Sequence, residues 1–138
     1  MKIDTIVIEG VDKTGKDTLL KYIDMIGNHR YAIYTRGNIS NIVYAKAFNR
    51  NVNNYKMHPH IFYVLLTGEK DDLDIRFKIT NEPYTDIERD TKLFNEVFAE
   101  ISTYVNTATY NTSYMTPYQI AKDIVEKVNK INKINEIN

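Results

Sequence analysis

Ile3-Asp4-Thr5-Ile6-Val7-Ile8-Glu9-Gly10-Val11-Asp12-Lys13-Thr14-Gly15-Lys16-Asp17-Thr18 joins a β-branched run to a turn punctuated by glycine. Residues 3–9 read as a strand bounded by Gly10, with the near-continuous apolar character of a buried parallel strand. From Lys16, Leu19, Leu20, Ile23 and Ile26 recur at helical spacing, and Gly27-Asn28 is a natural stop. The turn between them, Gly10 to Lys16, fits G-x-x-x-x-G-K after a strand and before a helix. That context matters because a phosphate chain is held by backbone N–H groups pointing inward at a helix N-terminus. Gly10 and Gly15 permit the tight path and the close approach. The lysine reaches β- and γ-phosphate oxygens as a point charge. The pattern thus assigns Gly10, Val11, Asp12, Lys13, Thr14, Gly15, Lys16, Asp17 and Thr18 to an anion cradle. In this pattern the residue after the lysine is serine or threonine, whose hydroxyl holds Mg²⁺; here it is Asp17, followed by Thr18. Both are metal candidates, Asp17 as a carboxylate and Thr18 by a small shift in register. Beside triphosphate oxygens Asp17 also repels. At ~4 Å and an effective dielectric of about 20, each like-charge pair is unfavourable by roughly 4 kcal/mol before Mg²⁺ and Lys16 screen it.

Residues 31–35 predict a second strand ending at Arg36-Gly37, and Ser40 is placed to cap a helix through Asn49, with Ile39, Val43 and Ala47 on one face. An asparagine-rich loop over 49–57 leads to His60–Thr67, where Ile61-Phe62-Tyr63-Val64-Leu65-Leu66 makes the best central strand. A helix is expected from Asp71 to Ile79, interrupted by Asn81-Glu82-Pro83. Leu93, Phe94, Val97, Phe98, Ile101 and Val105 form an amphipathic stripe over 86–105. A weaker strand covers 108–113. Thr116-Pro117-Tyr118-Gln119 is a capping box with proline at the first helical position, opening a helix that carries Ile120, Ile124, Val125, Val128 and Ile131. Beyond Asn129 the Asn-Lys-Ile repeat has a spacing of three, which drifts off a helical face and predicts fraying. Strands alternating with helices specify an α/β fold, a parallel sheet with helices on both faces in three layers, within a single domain over 1–138.

Composition narrows the partners. Lysine plus arginine total 18 and aspartate plus glutamate total 18, a balance that argues against binding polymeric nucleic acid through counterion release. There are no cysteines, which removes disulfides, thiolate metal sites and cysteine nucleophiles. No apolar run approaches a bilayer span, and Met1-Lys2-Ile3-Asp4 is already acidic within a strand-like run. The expectation is a cytoplasmic protein without a membrane partner. His29, His58 and His60 lack zinc-type spacing and are expected in exposed or capping roles. Asp71-Asp72-Leu73-Asp74 lacks the glycine and distal glutamate of a calcium loop and reads as acidic residues opening a helix.

Ile6 to Thr18 resembles the opening of thymidylate kinase and related deoxynucleoside monophosphate kinases, a P-loop family that begins with a hydrophobic strand and Glu-Gly-x-Asp-x-x-Gly-Lys-Ser/Thr-Thr. Glu9-Gly10 and Asp12 separate that pattern from most other P-loop proteins. The resemblance implies a reduced nucleotide-kinase fold that uses ATP and Mg²⁺. It implies that Asp12 sits near the acceptor sugar and that Lys13 stands where some members place an arginine on the transferring phosphoryl group. Lysine supplies that charge without the bidentate fork. Tyr34-Thr35-Arg36-Gly37-Asn38-Ile39-Ser40 to Tyr44 resembles the family's strand ending in Asp-Arg and the Ser-x-x-x-Tyr helix after it, with Thr35 where an aspartate is expected. An alternative alignment matches Thr35-Arg36 to a Thr-Arg-Glu-Pro-Gly loop. Both put Arg36 at a phosphate. Lys16, Lys13, Arg36 and Asp12 are therefore the implied catalytic set.

Ile61 to Arg76 resembles the family's late strand and the start of its lid, with Arg76, Lys78 and Arg89 as lid cations. Only Gly27 to Arg30 separates the first helix from the Arg36 strand, where the family has a further strand and helices. Tyr44, Phe48, Phe62 and Phe94 either stack on a base or, the more frequent case for aromatics at such spacing, belong to the core. The resemblance implies transfer of the ATP γ-phosphoryl group to a deoxynucleoside monophosphate, thymidylate first. It also implies a homodimer, with the Ile42/Val43 or Phe94/Phe98 faces as candidates. Two alternatives stay open: a turnover-deficient nucleotide-binding or interaction protein, and a kinase for a nucleoside or other small acceptor. A guanine-reading Asn/Thr-Lys-x-Asp stretch is absent from the sequence, which disfavours a GTPase.

Overall fold

In β1 (Thr5–Glu9), Ile6 and Ile8 face one side of the sheet and Val7 the other, and all three are buried. β3 (Ile61–Thr67) repeats the pattern, with Phe62, Val64 and Leu66 on the first side and Tyr63 and Leu65 on the second. A strand apolar on both sides needs helices on both faces, and the chain supplies them. The computed structural model describes residues 2–51, 56–80 and 86–137. With β2 (Ala32–Thr35) and β4 (Thr107–Asn111), the strands form one four-stranded, all-parallel sheet in the order β2-β1-β3-β4.

The Ile6/Ile8 side packs on Leu19 and Ile23 of α1 (Lys16–Ile26) and on Ile120, Ile124 and Val128 of α5 (Pro117–Ile137). The Val7 side packs on Ile39 and Val43 of α2 (Asn38–Ala47), Leu73 and Phe77 of α3 (Lys70–Thr80), and Phe94, Val97 and Phe98 of α4 (Ile87–Ile101). Ile8 pairs with Thr35 and Glu9 with Leu65, so β1, β2 and β3 end nearly level and their following loops emerge together. The chain leaves β1 toward β2 and leaves β3 toward β4. This reversal opens a crevice at the carboxyl end of the sheet, where open α/β sheets place their ligands.

Three expectations need correction. Ser40 is not the cap of α2: Gly37 occupies that position, and Ser40 lies inside the first turn, bonded to Glu9. The fourth helix ends at Ile101, and Val105 lies beyond it. The C-terminal helix does not fray after Asn129. It runs on to Ile137 because buried Asn132 pairs with Ile3, accepting its N–H (2.7 Å) and donating to its carbonyl (3.0 Å). The capping box is formed in both directions, Gln119 N to Thr116 Oγ1 at 3.2 Å and Thr116 N to Gln119 Oε1 at 2.9 Å. Asp71 and Asp72 lie in the first turn of α3, as expected of acidic residues at a helix start. Asn81-Glu82-Pro83 and the middle of the 49–57 loop lie outside the described residues.

Candidate functional site

Gly10 leaves β1 with φ 141°, and a Cβ there would stand 2.4 Å from the Leu66 carbonyl oxygen. The loop is thus rooted against the backbone of β3, a position only glycine fits. Thr14 is buried and its hydroxyl donates to the Val11 carbonyl at 2.8 Å, pinning the underside of the turn. Gly15 adopts φ 88°, faces open space where a Cβ would be, and stands at the N-cap of α1. No side chain caps that helix among the described residues, so its first N–H groups and positive dipole end are available to an anion.

Lys16, the first residue of α1, is buried and crosses the loop, its Nζ donating to the carbonyls of Gly10 (2.9 Å) and Val11 (2.8 Å). Burial, with help from the nearby Arg36 guanidinium, lowers its pKa from 10.5 to about 8, against the pull of Asp12, Glu9 and Asp17.

An open cleft of about 560 Å³ lies over this turn, lined by Asp12, Lys13, Gly15, Lys16, Asp17, Thr18, Thr35 and Arg36. Gly10, Val11 and Thr14 do not line it. Arg36 follows β2 with φ 71°, and its guanidinium pairs with the Asp12 carboxylate. Two residues read separately from the sequence thus meet as an ion pair. Asp17 and Thr18 are both exposed on the cleft. Mg²⁺ keeps several waters and substrate oxygens and takes only one or two protein ligands, so this pair fits it. Among the described residues there is no group of three His, Cys, Asp or Glu side chains that could hold a metal by itself.

Glu9, marked in the sequence only as part of the Glu9-Gly10 pair, is not among the expected site residues. It is fully buried at the end of β1, with Oε1 accepting from Gly37 N (2.9 Å) and Ser40 Oγ (2.7 Å) and Oε2 from Ser40 N (2.9 Å). Burial raises its pKa, and the Ser40 and Gly37 bonds oppose the rise. Glu9 therefore caps α2 from the neighbouring strand and fixes the turn that carries Arg36. The sequence signals are the Glu9-Gly10 pair and an acidic residue closing an apolar strand. Tyr44 of α2 is half-buried and packs edge-on against Phe94, with ring centroids 6.1 Å apart. Burial, and after it the charge of Asp12, pushes the Tyr44 phenol up.

Of the remaining aromatics, Phe62 and Phe94 are core residues, whereas Phe48 is 54% exposed, with the guanidinium carbons of Arg50 and Arg89 at 5.4 and 5.2 Å from its ring centre. The expected lid cations diverge. Arg76 bonds the loop backbone at Lys13, Arg89 bonds Asp90 at 2.9 Å, and Lys78 is exposed. His29 pairs with Asp24 at 2.6 Å, and the His58 and His60 rings lie 5.3 Å apart. No described helix is long and apolar enough to cross a membrane.

No family model and no curated protein matches the chain by sequence. Among solved structures it is similar to thymidylate kinase from Candida albicans, with a TM-score of 0.58 and 13% sequence identity over 94% of this chain and 92% of that one. With its all-parallel sheet covered by helices on both faces, the chain shares the fold of that kinase.

Proposed function

We propose that this chain is an ATP-dependent nucleotide kinase, acting in the cytoplasm as one domain over 1–138, that transfers the γ-phosphoryl group of ATP to a deoxynucleoside monophosphate, thymidylate first. The observation that carries the reading is the uncapped start of α1 facing the same cleft as Lys16 and the Asp12–Arg36 pair. The amides of Gly15 to Thr18 and the Lys16 ammonium hold the donor phosphates. Asp17 and Thr18 would hold Mg²⁺, which when bound offsets charge on the β- and γ-phosphate oxygens. Arg36 exchanges Asp12 for the acceptor phosphate, and Asp12 then accepts a hydroxyl of the acceptor sugar. Lys13 lies on the cleft to neutralise charge on the group in flight. An acceptor phosphate oxygen forms the new bond to the γ-phosphorus as the bond to the β–γ bridging oxygen breaks, giving ADP and a nucleoside diphosphate. The attacking oxygen is already ionised near neutral pH, so positioning and electrostatics supply the rate.

The test is ADP release with a panel of nucleosides and (deoxy)nucleoside monophosphates, comparing wild type with Lys16→Ala. The panel is wide because broad substrate specificity is named for the Candida albicans kinase. Turnover with one acceptor class, lost in Lys16→Ala, supports the reading; no turnover with any acceptor contradicts it. A second reading, a protein that binds nucleotide without turnover, is favoured by Asp17 after Lys16 and by Thr35 before Arg36. Binding of Mg-ATP without ADP release would select it, and no binding would refute both.

A further inference from the structure

Arg76 lies outside the cleft yet touches the loop that forms it. From the middle of α3 the half-buried guanidinium donates through Nη1 to the Lys13 carbonyl at 2.9 Å and to Thr112 Oγ1 at 3.1 Å. Thr112 Oγ1 in turn donates to the Thr67 carbonyl at 2.9 Å, and Thr112 N donates to the same carbonyl at 2.8 Å. Arg76 thereby ties the β1–α1 loop to the ends of β3 and β4. The residue it holds, Lys13, has φ 68°, a left-handed conformation that a side chain adopts at a cost and that its surroundings must impose.

The peptide bond is planar and trans, so the carbonyl of Lys13 and the N–H of Thr14 point in opposite directions. A cation fixed on that carbonyl fixes the direction of the N–H, which is turned away from Arg76. Charge-assisted bonds to a carbonyl are short and strong enough to select one orientation of a peptide in a loop.

We propose that Arg76 is a positioning residue: by holding the Lys13 carbonyl it sets the 13–14 peptide, which Thr14 N–H reports, and with it the course of the loop into Gly15 and Lys16, whose amides meet the phosphate chain of the donor. This rests on the phosphate-binding reading of the loop, and it assigns Arg76 no contact with the nucleotide.

The experiment titrates inorganic pyrophosphate and Mg-ATP into wild type, Arg76→Ala, Arg76→Lys and Thr112→Val, and records the Thr14 amide resonance in each protein without ligand. Arg76→Ala is expected to weaken both probes by about ten- to a hundredfold and to shift the Thr14 resonance. Arg76→Lys, which keeps a cationic donor, should recover most of the loss. Thr112→Val, which leaves the bond to Lys13, should lose about fivefold or less. Pyrophosphate affinity unchanged in Arg76→Ala while Mg-ATP weakens would mean a contact to the base or ribose and would overturn the proposal. So would an unmoved Thr14 resonance. A wild type that binds neither probe overturns the nucleotide reading instead, and the ligand-free Thr14 resonance then decides alone whether Arg76 holds the peptide.

Discussion

Glu9 keeps three donors of the α2 start satisfied with none of its surface exposed. Glu9→Gln turns one acceptor into a donor facing another donor, and should lower stability by about 2 kcal/mol, about 7 °C in Tm, by thermal melts near neutral pH. Because burial raises its pKa above the ordinary 4.5, the unfolded chain loses this proton first as pH rises. The Glu9 contribution to stability therefore falls between 4.5 and the raised value and is flat below that window. Glu9→Gln should flatten that slope in melts taken across the window. Lys16 behaves in the opposite sense toward a ligand. Its pKa of about 8 leaves it increasingly neutral above that pH, while a bound polyphosphate keeps it charged. Mg-ATP affinity should therefore weaken roughly tenfold from pH 8 to 9.5, with proton uptake visible by calorimetry in buffers of different ionisation enthalpy. Affinity indifferent to pH over this range would contradict the burial of Lys16.

Local signals fixed the elements that depend on neighbours in sequence. The Thr116–Gln119 box is a four-residue device, and it forms as read; Thr116→Ala should cost about 1 kcal/mol in denaturant unfolding. Signals from distant partners were not legible. The last two turns of α5 depend on Asn132, whose partner Ile3 lies 129 positions away. A spacing-of-three repeat carries no trace of that pairing, so fraying was the natural expectation. Asn132→Ala should strand the Ile3 N–H and carbonyl and cost about 2–3 kcal/mol, with faster hydrogen exchange at Ile3 and through residues 130–137. Ser40 failed as a cap for the same reason: its competitor for the helix start, Glu9, sits on another strand.

At the scale of the molecule, the alternation of strands and helices was enough to specify a parallel sheet with both faces covered, and the glycine-bounded turn after the first strand marked the carboxyl end where such sheets place a ligand. The meeting of Asp12 with Arg36, and of Arg76 with Lys13, follows from the strand order β2-β1-β3-β4 and the level strand ends, which composition and periodicity do not encode. Gly10 ties the two scales together. Gly10→Ala would drive a methyl group into the Leu66 carbonyl, and should displace the loop from β3 and destabilise the fold by about 3 kcal/mol or more. The most direct measurement of the whole account is a calorimetric titration of Mg-ATP into the wild-type chain and into Lys16→Ala near neutral pH. Saturable one-to-one binding that weakens at least about thirtyfold in Lys16→Ala is the result this account predicts. No heat of binding to the wild type, or equal affinity for both proteins, would contradict it.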